Sequence, residues 1–341
     1  HLQRRRQRQM CIRDSNVTVQ DFGRPKFQHL GVPVSGAIAP TLLRLANALV
    51  SNTEYEAGLE IRLMGPTFEV LCDSLRIALV GTSTPVEIID GNITFQPANQ
   101  SIKLKKGQIV KIGNVSDSGT TYLAFEGGFD LPEIYDSMST YVRAGIGGYK
   151  GRPLLAGDVV PLKTNSAADH GELKLNDAWF LEENGPLRVI LGPQDDYFSS
   201  NSIETFFDSK YSVTTEADRM GIRLDGPKLQ HSKGYNIVSD GIVTGAIQVP
   251  GTGQPIMLLA DHQTTGGYPK LGTIISADIS RLGLLCPGAE ITFQQITVEE
   301  AEQILVEQEL KIKTAIGNFK PADPWLDHQA LYNENLISGF M

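Results

Sequence analysis

Apolar residues in this chain fall mostly into short runs separated by turn formers. Between residues 58 and 125 the clearest runs are 68–71, 75–80, 86–89, 109–112 and 122–125. Glycine, aspartate and asparagine stand between them. Asp90-Gly91-Asn92 is a hairpin signal, because these residues reach the positive φ of a tight turn. Strands this short and closely spaced predict a barrel or a sandwich. Helical spacing is rarer. Pro40 suits a first helical turn and precedes Leu42, Leu43, Leu45, Ala46, Leu49 and Val50 at the helical period, which predicts a helix over 40–52. Another is predicted over 195–207, with Tyr197, Phe198, Phe206 and Phe207 on one face. Thr297-Val298-Glu299-Glu300 is a capping box opening a helix to about Ile316.

The tract 163–186 is polar and aperiodic and is expected to link two domains, 16–165 and 185–316, with an irregular tail over 317–341. The predicted architecture is therefore mainly β, two barrel domains with a few short helices. A length of 341 residues lets each domain bury its own core, and 34 glycines with 18 prolines favour turns over long helices. No apolar run is long enough to cross a bilayer. A net charge of −9 argues against nucleic acid as a partner. The first fifteen residues oppose that balance, with five arginines against one aspartate. They lack the apolar centre of a signal peptide and are expected to be a non-native basic head outside the fold. Three cysteines without metal-like spacing point to a reducing compartment, and Cys72 reads as a small buried hydrophobe.

The familiar catalytic signatures are missing. There is no phosphate-binding P-loop and no nucleophile elbow. Lys150 occupies the third glycine position of the near-dinucleotide motif at 145–150, and the six scattered histidines suggest no metal site. Without a Met-Lys-Met tetrapeptide the chain is expected to carry no covalent biotin. Three polar segments remain. In Asp218-Arg219-Met220-Gly221-Ile222-Arg223, Arg219 and Arg223 can clamp a phosphate or carboxylate; ion pairs with Asp218 and Asp225 are the competing reading. From 139 to 148, Ser139, Thr140, Arg143, Gly147 and Gly148 can form an anion nest or a plain glycine-rich corner. In 261–270, Asp261 ends an apolar strand, Gly266 and Gly267 allow close backbone approach, Tyr268 can donate a hydrogen bond and Lys270 can neutralise an anion. An ordinary hairpin with a solvated lysine is the alternative there.

The longest such region, 235–275, contains two specific words: Ala246-Ile247-Gln248-Val249-Pro250 and Thr264-Thr265-Gly266-Gly267-Tyr268-Pro269. With Thr18-Val19-Gln20-Asp21-Phe22-Gly23-Arg24, Gly31-Val32-Pro33-Val34-Ser35-Gly36-Ala37, Leu59-Glu60, Glu126-Gly127-Gly128-Phe129 and Cys286-Pro287-Gly288, they make the chain resemble the biotin-dependent carboxyltransferase family. That family takes in the urea carboxylase carboxyltransferase domain, the allophanate hydrolase subunit 2 group and KipA. The likeness covers 17 to about 300 and is strongest toward the bacterial 5-oxoprolinase branch. It departs from the family pattern at Ala39, where aspartate is usual, at Asp136 and Met138, which replace a glycine and an arginine, and at Leu284, which replaces a glutamine.

The resemblance implies cyclophilin-like barrels. It also implies a cytoplasmic hetero-oligomer with the 5-oxoprolinase A subunit and a KipI-like B subunit, which opens 5-oxoproline or a similar small amide to glutamate with ATP. Carboxyl transfer from biotin on another chain, or a non-catalytic KipA-like role, are the alternatives. Opening a lactam requires activation of its carbonyl, donors for the developing oxyanion and a base for water. Asp261, Lys270 and Tyr268 are the expected catalytic groups. Ser139, Thr140, Arg143, Gly147, Gly148, Arg219, Arg223, Gln248, Gln263, Thr264, Thr265, Gly266 and Gly267 are the expected substrate and anion contacts. ATP is expected to lie mainly on a partner protein of the complex.

Overall fold

The short runs between 58 and 125 fold into two antiparallel sheets around one apolar core. The structure, a computed structural model, describes residues 9–14 and 17–322. One sheet has six strands, in the order Val159–Pro161, Gln9–Asp14, Thr67–Val70, Ile109–Lys111, Val86–Asp90 and Asn92–Gln96. The other has five, in the order Thr18–Gln20, Gly58–Ile61, Thr121–Phe125, Ser74–Val80 and Ser101–Lys105. Ile12, Phe68 and Val110 from the first sheet meet Leu59, Leu79 and Phe125 from the second in one buried cluster. Asp90 pairs with Asn92 across Gly91, whose φ of 70° makes the predicted hairpin turn.

A second β unit is one eight-stranded sheet. Its order is Glu290–Ile291, Tyr211–Ala217, Gly221–Asp225, Ile256–Leu258, Ala246–Gln248, Lys270–Ile274, Leu187–Leu191 and Phe293–Gln295. Its first and last strands are separated by Thr292 alone, so the sheet returns almost onto itself as a nearly closed barrel. Only the pairing of Leu187–Leu191 with Phe293–Gln295 is parallel. The predicted 195–207 helix divides. A short turn, Asp195–Tyr197, precedes the helix α2, Ser200–Asp208, because Ser199 stops the chain and caps the Ser202 N–H. Phe206 of α2 stacks on Phe293 at 4.3 Å.

Helix α1, Pro40–Leu49, buries Leu42, Leu45 and Leu49 on the five-stranded sheet. After α3, Ile279–Leu284, the capping box of Thr297 and Glu300 opens α4, Val298–Gly317, as predicted. That long helix returns over α1, where Ile312 joins the same apolar cluster and Glu309 binds Arg44 through two hydrogen bonds.

The structure corrects two expectations. Residues 9–14 are no loose head. They are an interior strand, paired on both sides, with Met10 and Ile12 fully buried. Residues 1–8 and 15 lie outside the described residues. The tract 163–186 is no open linker either. Glu172 reaches the buried Arg76, Leu175 and Phe180 enter the core under α1, and Leu173–Lys174 pairs with Lys320–Pro321. Of the expected tail, residues 323–341 lie outside the described residues.

Candidate active site

Strand Gly58–Ile61 is buried throughout, yet it carries the carboxylate of Glu60. The register places Glu60 opposite Tyr122, whose hydroxyl donates to Glu60 Oε2 at 2.5 Å; the Ile38 N–H donates to the same oxygen at 3.0 Å. Glu60 Oε1 accepts from Arg219 Nη1. Arg219 stands in the turn between Tyr211–Ala217 and Gly221–Asp225. It also donates to both oxygens of Asp261, at 2.9 and 3.1 Å, and to the Gly36 carbonyl at 2.7 Å. The two β units thus meet at an ion triad. Burial works against the charge of Arg219, but Glu60 and Asp261 outweigh it and raise its pKa. Burial, reinforced by Glu60, raises the Tyr122 phenol well above its ordinary value. Asp261 is therefore an interdomain anchor. Its carboxylate is already filled by Arg219, and it lines neither of the two cavities that flank the seam.

The segment 139–148 is the glycine-rich corner. Ser139 Oγ donates to Asp21 at 2.5 Å and Thr140 Oγ1 to the Val19 carbonyl at 3.0 Å. The Ser139 carbonyl holds the fully buried Arg24, 2.5 Å from Nη2. The N–H groups of Gly145, Ile146 and Gly148 bond to carbonyls of Val142, Tyr141 and Met138, so they do not face a ligand as a nest would. Gly147 and Gly148 are required by space: a Cβ on either would stand 2.0 Å from Ser139 O or Thr140 Oγ1.

Lys270 is also corrected. It is 3% exposed, and its ammonium donates to Asp240 at 2.6 Å and to the Gly241 carbonyl at 2.9 Å. It pins the loop that pairs Asp240–Gly241 with Thr265–Gly266. The Thr264 carbonyl accepts from Ile242 and that of Gly267 from Ile237, so this stretch is bound into its own hairpin. Gly266 passes against Gln248, where a Cβ would meet Nε2 at 2.6 Å. His262 is buried beside it. Its Nδ1 faces the Gln263 carbonyl at 2.6 Å, and burial lowers its pKa, leaving a neutral ring.

What the fold does assemble is a cavity of about 580 Å³ between the units. Gln248, Gln263 and Tyr268 line it; Gln263 Nε2 lies 3.4 Å from Gln248 Oε1. Arg143 and Arg223 line it too, Arg143 beside Asp218 at 3.6 Å and Arg223 beside Glu216 at 3.0 Å. Met220, Ile256 and Leu258 supply an apolar floor. Two arginines against two carboxylates leave no net charge, and two primary amides with a phenol can both donate to and accept from a neutral amide. Five of the expected residues, Arg143, Arg223, Gln248, Gln263 and Tyr268, therefore share one wall system. Arg219 instead lines a neighbouring cleft of about 390 Å³ with Glu60 and Arg62.

Glu60, Arg62, Glu216, Arg24 and the Asp21 cluster were not among the expected site residues. The sequence does hold a trace of Glu60: a carboxylate inside the apolar word Gly-Leu-Glu-Ile. Among the described residues no group of three or more His, Cys, Asp and Glu could hold a metal ion, and no helix is long and apolar enough to cross a membrane.

The chain is similar to known proteins. The chain is 35% identical over 288 residues to the 5-oxoprolinase C subunit of Escherichia coli, covering 84% of this chain and 90% of that protein. It is 32% identical to the corresponding C subunit of Haemophilus influenzae 5-oxoprolinase, covering 87% and 93%. The solved urea amidolyase of K. lactis superposes with a TM-score of 0.81 at 28% identity, covering 91% of this chain and 20% of that one. The family model for the carboxyltransferase domain, subdomain A and B, matches residues 30–295. The chain belongs to that carboxyltransferase-domain family.

Proposed function

We propose that this chain is the C subunit of an ATP-dependent 5-oxoprolinase complex that opens 5-oxo-L-proline to L-glutamate. The likeness to the C subunit of 5-oxoprolinase over 90% of the Escherichia coli protein carries this reading. The neutral cavity supports it. A lactam presents one carbonyl and one N–H, which suit Gln248 and Gln263, and Tyr268 on the same cavity would donate to charge developing on the carbonyl oxygen. Glu216 and Asp218 are exposed carboxylates on the same cavity and could accept a proton from water. Both arginines there face a carboxylate, which makes this cavity a poor match for a triphosphate. ATP is then handled with partner proteins, an A subunit and a KipI-like B subunit, and the chain alone is inactive. Carboxyl transfer is the second reading, favoured by the superposition on the K. lactis urea amidolyase.

Co-expression with candidate A and B subunits tests this. The complex should release glutamate from 5-oxoproline only with ATP. Tyr268→Phe should lower that rate roughly tenfold to a hundredfold, the effect of one lost oxyanion donor or charge-assisted hydrogen bond. ATP-dependent turnover by the purified chain alone, or an unaffected Tyr268→Phe complex, would contradict the proposal.

A further inference from the structure

The cleft of about 390 Å³ adjoins the neutral cavity. Both are lined by Thr215 and Ala217 of strand Tyr211–Ala217, and by consecutive residues, Val142 and Arg143, of one turn. The cleft has Glu60, Arg62 and Arg219 on its walls, with Asp261 paired to Arg219 behind them, so the charges balance only when Arg62 is counted.

Glu60 and Arg219 are spent on each other and on the seam. Arg62 is not. Its side chain is partly buried and has no hydrogen bond or ion pair among the described residues. Leu63, Val142 and Leu285 make the walls apolar around it. Thr215 adds a hydroxyl that also has no partner among the described residues. Leu63, directly after Arg62, has a φ of 63°, a left-handed conformation that costs a leucine energy and persists only where its surroundings hold it. Here the Leu63 carbonyl takes the Val115 N–H at 2.7 Å, and the Arg62 carbonyl takes the Met64 N–H at 2.7 Å. The backbone beside Arg62 is thus fixed, while its guanidinium is left without a counter-ion.

A planar guanidinium in a half-apolar cleft is matched by a planar anion of the same width, which it binds through two parallel hydrogen bonds. A volume near 390 Å³ suits a small organic molecule. We propose that this cleft binds a small organic carboxylate, with Arg62 as its bidentate partner and Thr215 as a further donor. The choice of carboxylate rests on the function proposed above, since 5-oxoproline and glutamate both carry one whereas urea does not. An unpaired guanidinium beside the amide-lined cavity would favour lactam acids over uncharged amides.

Calorimetric titration of the full chain, without its partner proteins, separates the two proposals. The probes are 5-oxoproline, L-glutamate, the uncharged lactam 2-pyrrolidinone and inorganic phosphate. The carboxylates should bind, more weakly as salt rises. Arg62→Met should weaken them roughly tenfold to a hundredfold while leaving 2-pyrrolidinone and the melting temperature unchanged. Arg62→Lys, which keeps the charge and loses the fork, should fall between. Carboxylate affinity that is absent in the wild type, or equal in Arg62→Met, overturns the inference, as does phosphate binding more tightly than either carboxylate. A reconstituted complex that releases no glutamate would end the functional reading and leave this one standing.

Discussion

At Lys270 a charge lies within the fold, while its partner Asp240 remains half exposed. The ion pair ties the hairpin beside Gln248 to strand Lys270–Ile274, and it holds the Asp240 carboxyl below its ordinary value. Lys270→Met keeps the volume of the stem and removes both hydrogen bonds. The melting temperature is expected to fall by about 2–5 °C, and a thermal melt checks it; a melt unchanged within a degree would mean that the pair holds nothing. In the sequence, Lys270 resembles an anion-binding cation because burial is not written in a single residue. The same holds for Ser139, Thr140, Gly147 and Gly148. Hydroxyls and glycines that bond to their own corner have the composition of a ligand nest, and only the fold shows that Asp21 and Arg24 use them. Tyr268, Gln248 and Gln263 stand out in the sequence as polar groups close to glycines, and the fold sets all three on one cavity wall. Glu60 escapes notice because one carboxylate in a four-residue strand reads as an outward face.

At the level of elements, local rules went furthest where the stop signals were strong. Thr297 and Glu300 set the start of α4, Pro40 that of α1, and Asp90-Gly91-Asn92 the hairpin. They failed for Gln9–Asp14, whose arginine-rich surroundings hid the apolar alternation of Met10 and Ile12, both buried between sheet neighbours. Nothing local foretold that α4 would dock on α1, which depends on Ile312 and on the contact of Arg44 with Glu309. That contact gives α4 a pH dependence. The hydrogen bonds from Arg44 lower Glu309 from 4.5 to about 2. A lowered carboxyl stabilises the fold above its unfolded pKa and loses that contribution as pH falls through the folded value. Stability measured by urea unfolding should therefore decline between about pH 4.5 and pH 2. Glu309→Gln should flatten that part of the curve, with its cost visible at pH 7 and gone at pH 2. Glu309 is partly solvated, so the effect will be modest. Equal slopes for the two proteins would remove the contact from the docking of α4.

For the whole molecule, chain length and the polar tract 163–186 predict two β domains, but not how the sheets join. Joining depends on residues far apart in the chain, Glu60, Arg219 and Asp261, together with the Ser35 N–H on the Ala260 carbonyl at 2.9 Å. This seam positions both cavities, since Arg219 and Glu60 line one and the strand before Arg219 lines both. Arg219→Met leaves two nearly buried carboxylates facing a vanished cation. Removing one partner from such a group costs about 3–5 kcal/mol, because the remaining charges stay desolvated. Glu60→Gln should cost less, since Arg219 and Asp261 still neutralise each other. A variant with all three replaced by apolar residues of similar size should recover much of the loss, because no charge is then stranded. The expected order of stability is wild type, Glu60→Gln, Arg219→Met, with the triple variant above Arg219→Met. If the seam couples the units, calorimetry should also show the single transition broadening or dividing in Arg219→Met. A single sharp transition with wild-type stability in Arg219→Met would mean that α4 and the packed 163–186 tract hold the units together, and that the triad serves the shape of the cavities alone.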